Sequence, residues 1–194
     1  YNVTMYDVSE DILQASVSRM EKLGSSWFVR INRITPEQLT EIMSRITATS
    51  DAKAAARDAD IISESVPEDP ELKGKVFAQF NELCPPRTVF TTNTSLLMPS
   101  RFAEATGRPE KFAALHFHDV RTTNVVDVMP HPGTDKAVTR LVHDFAVSIG
   151  QNPIMLHREN NGYVFNAMLS NLFMTALNLV TKDVASIEDV DRAW

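Results

Sequence analysis

Cysteine is almost absent: Cys84 is the only one in 194 residues, so no internal disulfide can form. It lies in Leu83-Cys84-Pro85-Pro86, with no second thiol or histidine at metal-ligand spacing, which fits a reducing, cytoplasmic setting better than a secreted one. Excess positive charge is missing too. Lys and Arg number 19 against 25 Asp and Glu, a net charge of -6, and this excludes the basic footprint of a protein that binds nucleic acid or an anionic membrane. No run approaches the roughly 20 apolar residues of a membrane span, and Tyr1-Asn2-Val3-Thr4 does not open a signal peptide. With 43% hydrophobic and 23% charged residues, the chain has the composition of a globular protein with a sizeable core.

Strand and helix patterns alternate. Val3 to Tyr6 reads as a strand ending at Asp7, and Ser9 caps a helix running to Gly24. Thr35-Pro36-Glu37 opens a second helix, with Pro36 at the first position, where its missing N–H is harmless. A short strand is expected over 46–49 and an Ala-rich turn capped by Asp51. Ala59 to Val66 reads as a strand buried on both faces, as parallel sheets demand. A helix follows Pro70, then a strand over 88–92, further strands over 112–116 and 124–129, a helix capped by Thr134 that ends at Gly150, and a last strand over 152–156. From Gly162 the pattern becomes a helix apolar almost all round, which is expected to be buried on most sides. Another helix starts at Ser186.

The alternation predicts an α/β fold with a doubly wound, mostly parallel sheet over 1–157, followed by the start of an all-helical domain over 158–194. Ligand sites in such sheets lie at the carboxyl ends of strands. Asp7, Glu68, Asn93, Ser95 and His116 are all expected there. Asp7 suits either an acid that holds adenine ribose hydroxyls, which favours NAD over NADP, or a helix cap. No G-x-G-x-x-G phosphate loop occurs in the chain.

Four motifs in order, Asp60-Ile61-Ile62-Ser63-Glu64-Ser65-Val66-Pro67-Glu68, Thr92-Asn93-Thr94-Ser95, Leu115-His116-Phe117 and Gly162-Tyr163-Val164-Phe165-Asn166, resemble the L-3-hydroxyacyl-CoA dehydrogenase family. The resemblance covers nearly the whole chain. It implies a Rossmann-type NAD-binding domain joined to a helical domain that forms a homodimer. It also implies that the chain lacks the family's first strand, glycine loop and first helix, as well as most of the helical domain, so the 194 residues alone are expected to be inactive.

The resemblance further implies roles for individual residues. His116 matches the family's general base, which takes the proton of a 3-hydroxyl while hydride leaves carbon 3, chemistry that imidazole suits. Asp127 stands nearest to the family's histidine-orienting glutamate, with a shorter side chain and one position short; otherwise it is a solvated strand-end residue. Ser95 and Asn166 match contacts to the substrate oxygen or nicotinamide, and both offer neutral hydrogen bonds. Read locally, Ser95 is a turn residue, while an Asn inside so apolar a helix needs a reason. Glu68, Lys73 and Asn93 match dinucleotide contacts, although Lys73 by itself reads as a solvated helix lysine.

His116-Phe117-His118-Asp119-Val120 departs from the family's His-Phe-Phe-Asn-Pro. Asp119 replaces an asparagine near the nicotinamide, and His118 replaces an aromatic, so charge and titration at the site are expected to differ. With Asp127 and His131 the patch is rich in His and Asp, but no pair has a zinc-finger or zincin spacing, and no metal is expected. The leading expectation is NAD-dependent oxidation of a short-chain 3-hydroxyacyl-CoA. Two alternatives stay open: a dehydrogenase of a 3-hydroxy acid without CoA, and a non-catalytic domain that dimerises through the apolar helix.

Overall fold

The structure, a computed structural model, describes residues 1–194. It contains seven strands and seven α-helices with mostly parallel pairing, a Rossmann-like α/β fold. No helix is long and apolar enough to cross a membrane. The chain divides into two compact units, one of residues 1–62 and 78–88 and the other of residues 63–77 and 89–194.

In the first unit, β1 (Val3–Tyr6) pairs in parallel with β2 (Ile46–Thr49), Val3 opposite Ile46. Helix α1 (Glu10–Leu23) starts where the Ser9 side chain accepts the N–H of Ile12. It does not stop at Gly24, which keeps right-handed helical angles and leads into a wider π-type turn over Gly24–Val29. Helix α2 (Pro36–Ser44) carries a full capping box: Thr35 accepts the Gln38 N–H, and the Gln38 side chain accepts the Thr35 N–H. Asp51 caps the short α3 (Ala52–Ala56). Leu13, Ala56, Phe80 and Cys84 are buried here, and Phe80 meets the Tyr6 ring edge-on at 5.2 Å.

The five-stranded sheet has the order β3-β4-β5-β6-β7, with β3 Ile61–Glu64, β4 Val89–Thr92, β5 Phe112–Phe117, β6 Val125–Pro130 and β7 Asn152–Met155. Pairing is parallel for β4 with β5 and for β6 with β7, and antiparallel for β5 with β6. β4 is buried along its whole length. β3 is not: only Glu64 of its four residues is buried, because β3 lies at the end of the strand order rather than inside it. The core of the second unit is aromatic, with Phe77 contacting Phe90, Phe102 and Phe112 at ring separations of 5.5, 6.1 and 5.0 Å.

Helix α4 (Pro70–Leu83) follows β3, and α5 (Lys136–Ser148) precedes β7. Asp135, not Thr134, is the residue before the first turn of α5. The Thr134 hydroxyl instead donates to the Phe112 carbonyl and accepts the His131 N–H, tying the β6–α5 turn to β5. The largest difference from expectation is α6 (Phe165–Thr181), which has no buried residue. Met168, Phe173, Met174 and Leu177 are each more than half exposed, so the apolar surface that calls for burial is uncovered within one chain. Helix α7 (Ile187–Ala193) is capped by Ser186.

Candidate active site

His116 lies inside β5 rather than after it, because the strand continues to Phe117. Its direct cross-strand neighbour on β6 is Asp127. Antiparallel partners carry side chains on the same face of a sheet, so the register alone brings these two together across eleven residues of sequence. The His116 Nδ1 is 3.0 Å from Asp127 Oδ2. Neither residue is at the surface: His116 is 4% exposed and Asp127 0%. The solvated strand-end reading of Asp127 is therefore corrected, since it sits in the middle of a buried strand.

His118 lies two residues along β5, just past the strand's last residue, and its Nε2 is 2.9 Å from the same Asp127 Oδ2. One carboxylate oxygen thus serves two imidazoles whose rings meet edge-on at 4.6 Å. The other oxygen, Oδ1, is buried with no hydrogen-bond partner. An ionised carboxylate only accepts, so both histidines donate to it and His116 keeps Nε2 as a lone-pair acceptor.

A third ring completes the enclosure. Gly162 and Tyr163 both take left-handed backbone angles, φ +72 and 55°, and they turn the chain into α6. A Cβ at Gly162 would approach the Ala167 amide nitrogen to 3.1 Å, so glycine is required there. Tyr163 holds a conformation unusual for a bulky residue, and its ring packs 4.9 Å from His116. It is 1% exposed, and its hydroxyl has no partner. Burial pushes that hydroxyl above the usual phenol range, and the Asp127 carboxylate adds in the same direction.

The loop after β4 is bound to the same region. Asn93 accepts the Phe117 N–H at 2.8 Å and donates to the Ser65 hydroxyl. Asn93 thus links the strand end beside His116 to Ser65 through the two ends of its amide. Glu68 accepts the Thr94 hydroxyl and the Ser95 N–H at 2.7 Å. The Asn166 Nδ2 donates to the Ser95 carbonyl at 3.2 Å, which is the reason for a polar residue near the start of α6. The Ser95 hydroxyl and the Asn166 amide oxygen make no hydrogen bond within the chain.

Lys73 is not a solvated helix lysine. It is 1% exposed, and its ammonium donates to Glu64 Oε1 at 2.8 Å and to the Val66 carbonyl at 2.9 Å, with Glu68 Oε2 3.7 Å away. Glu64 also accepts the Thr92 hydroxyl and the Val66 N–H. Sequence reasoning missed Glu64; a glutamate in a strand otherwise apolar or small was its only signal. The buried Lys73–Glu64 pair ties α4 to the end of β3 and shapes the 65–69 turn.

Asp119 is likewise spoken for. Three hydrogen bonds from the Arg121 guanidinium, Nε to both carboxylate oxygens and Nη2 to Oδ2, and one from its backbone N–H hold it, and these bonds lower its carboxyl to about 2. The added negative charge expected there is paired within the turn. His131 is structural: its Nε2 is 2.8 Å from the Pro109 carbonyl, and its Nδ1 accepts the Gly133 N–H. In the first unit, Asp7 stands directly after β1 and accepts the Ser9 N–H at Oδ1, leaving Oδ2 without a partner. The cap of α1 is Ser9 and not Asp7, whose carboxylate braces the turn before the helix.

Residues 1–160 match the family model described as 3-hydroxyacyl-CoA dehydrogenase, NAD binding domain. The human mitochondrial hydroxyacyl-coenzyme A dehydrogenase is 28% identical across the whole chain, which spans 63% of that relative's length. A 3-hydroxybutyryl-CoA dehydrogenase of Mycobacterium tuberculosis is 26% identical over 98% of the chain and 67% of its own length. Among solved structures, one described as a diketoreductase that acts on dicarbonyl compounds is 35% identical, with a TM-score of 0.93 over 100% of this chain and 69% of that one. The chain belongs to the 3-hydroxyacyl-CoA dehydrogenase family, whose NAD-binding domain its first 160 residues match.

Proposed function

We propose that the protein oxidises a short-chain L-3-hydroxyacyl-CoA to the 3-oxoacyl-CoA with NAD. The observation that carries this reading is the His116–Asp127 pair, in which a buried carboxylate holds Nδ1–H and leaves Nε2 to take the substrate's hydroxyl proton. NAD, when bound, accepts the hydride from carbon 3. The Ser95 hydroxyl and the Asn166 amide orient the 3-oxygen without adding charge, and their mutual link through the Ser95 carbonyl fixes their spacing. Asp127 stabilises the imidazolium that forms. The residues present suit the dinucleotide: Asp7 keeps one carboxylate oxygen unpartnered at a strand end for ribose hydroxyls, which favours NAD over NADP. Glu68, Asn93 and Lys73 shape the loops it would meet, and Asp119 lies in the turn after His116.

NADH formation from L-3-hydroxybutyryl-CoA by the full-length protein tests the reading. His116→Ala should lower kcat by roughly 10²–10⁴-fold, the contribution of a positioned general base. An unchanged rate would sink the mechanism.

The 35% identity to a diketoreductase, together with the changed sequence after His116, supports a second reading in which the substrate is a 3-hydroxy or dicarbonyl compound without CoA. Turnover of such a compound and none of the thioester would favour it. In both readings residues 1–157 serve the dinucleotide, and residues 158–194 join a helical domain that makes a homodimer. The exposed apolar face of α6 supports that assembly. A cytoplasmic site of action is proposed on the single cysteine, which makes no disulfide.

A further inference from the structure

The two histidines and the aspartate form more than a hydrogen-bond network. His116, His118 and Asp127 each offer one ligand atom, and these atoms all lie within 4.8 Å of one another. The two contacts through Asp127 Oδ2 are 3.0 and 2.9 Å. Metal bonds of about 2.0–2.2 Å set ligand atoms about 3.0–3.5 Å apart around a tetrahedral or octahedral ion, so small side-chain movements would admit one. Two imidazoles and one carboxylate make a donor set that divalent transition metals prefer, with further positions left for water.

Two other observations point the same way. Asp127 Oδ1 is fully buried and has no hydrogen-bond partner, which leaves the carboxylate with unused acceptor capacity at the centre of the cluster. The His118 side chain is 12% exposed and borders the half-exposed Phe165 ring at 5.3 Å, which gives an ion a way in. Sequence spacing hides this set. The ligands come from a His-x-His stretch at the end of one strand and an Asp on its antiparallel neighbour, not from one helix or one turn.

We propose that His116, His118 and Asp127 bind a single divalent transition-metal ion of the Zn²⁺ type, and that the bound ion switches off the base. The inhibitory half of this proposal rests on the dehydrogenase reading above. The ion takes the place of the two N–H donors. The His116 proton leaves Nδ1 and reappears on Nε2, and the His118 proton moves from Nε2 to Nδ1, so no net proton is released. With Nε2 protonated and Nδ1 on the metal, His116 has no lone pair for the substrate's proton.

The test is a Co²⁺ titration of chelator-treated full-length protein, followed by visible ligand-field absorption. The expected result is a band that saturates at one equivalent and is displaced by Zn²⁺, with dehydrogenase activity lost in the same proportion and restored by chelator. His118→Phe should weaken binding by at least the roughly 10–100-fold that loss of even an outer-shell partner costs. His143→Ala should leave the titration unchanged, since His143 pairs with Asp144 on the surface. No band at one equivalent, or an unchanged titration in His118→Phe, would overturn the site. Should that variant misfold, ¹⁵N spectra of the unmodified protein decide. Zn²⁺ must shift the ring nitrogens of His116 and His118 and not those of His131, and any other pattern refutes the proposal. A band in a protein with no dehydrogenase activity supports the site and counts against the catalytic reading. Full activity unaffected by Zn²⁺, with no band, overturns the site alone.

Discussion

Replacing Asp127 by asparagine isolates the charge that holds the base. Asp127 is 0% exposed, and its Oδ2 takes two N–H donors at 2.9 and 3.0 Å, so the change removes one negative charge and almost no volume. An asparagine that turns its oxygen to both rings places its amide NH₂ where Oδ1 had no partner, and that buried donor stays unpaired. An asparagine turned the other way confronts two N–H groups with a third donor and drives His116 toward the wrong tautomer. A hydrogen bond to a charged group contributes about 1.5–3 kcal/mol, and about 1.4 kcal/mol is a tenfold rate. Loss of the charge alone therefore lowers kcat by about 10–160-fold, and a full tautomer reversal extends this toward the roughly 10⁴-fold seen when a histidine's orienting carboxylate is neutralised in a catalytic triad. The assay is steady-state NADH formation with NAD and 3-hydroxyacyl-CoA varied in turn. On the proposed mechanism the KM for NAD should hold while kcat falls, because the Asp127 carboxylate contacts the two imidazoles. A kcat unchanged in a variant that melts normally would refute the positioning role.

Lys73→Met leaves Glu64 charged and buried without its partner, a loss of about 3–5 kcal/mol to be read from urea unfolding; the double change with Glu64→Leu should recover most of it. The Asp119 carboxyl, lowered to about 2 by its hydrogen bonds from Arg121, should titrate near that value by NMR and return toward 3.8 in Arg121→Gln. Because its folded value is depressed, whatever stability the pair adds is present above pH 3.8 and fades as pH falls through about 2; an Asp119 midpoint unmoved in Arg121→Gln would contradict this assignment. Tyr163→Phe removes a buried hydroxyl with no partner and should raise stability by about 1 kcal/mol, seen as a higher melting temperature; a clear loss would mean that the hydroxyl has a partner the geometry does not give it.

Local sequence signals placed the elements well wherever the chemistry was local. Thr35-Pro36 and Gln38 write their helix start in four consecutive residues, and Ser9, Asp51 and Ser186 do the same with side-chain caps. Thr134 misled because a hydroxyl can cap a helix or staple two strands, and only the tertiary fold offers it the Phe112 carbonyl. β3 and α6 misled in the same direction, each expected to be buried and each largely uncovered, for one reason. Apolar content records what an element must bury, not whether its own chain supplies the cover, and the strand order is not written in a hydropathy pattern.

The site was legible to the same extent. His116 and Asn166 stood out through the motifs around them, yet what each touches depended on register. Ending β5 at His116 hid the role of His118. Carrying the strand one residue further, to Phe117, puts positions 116 and 118 on one face, and antiparallel pairing opposite Asp127 then makes two imidazoles converge on one carboxylate oxygen. Lys73 was misjudged because a lysine on a helix is usually solvated, and its burial depends on Glu64 lying nine residues earlier on a strand end that α4 covers. Both errors come from the same physical fact: strand pairing and helix packing decide which charges meet, and a shift of one residue in either would leave a buried charge alone. The converse gives the sequence its constraint. Asp127 and Lys73 are charges the interior tolerates only with His116, His118 and Glu64 in register, so none of these five residues can change alone without leaving a buried polar group unpaired.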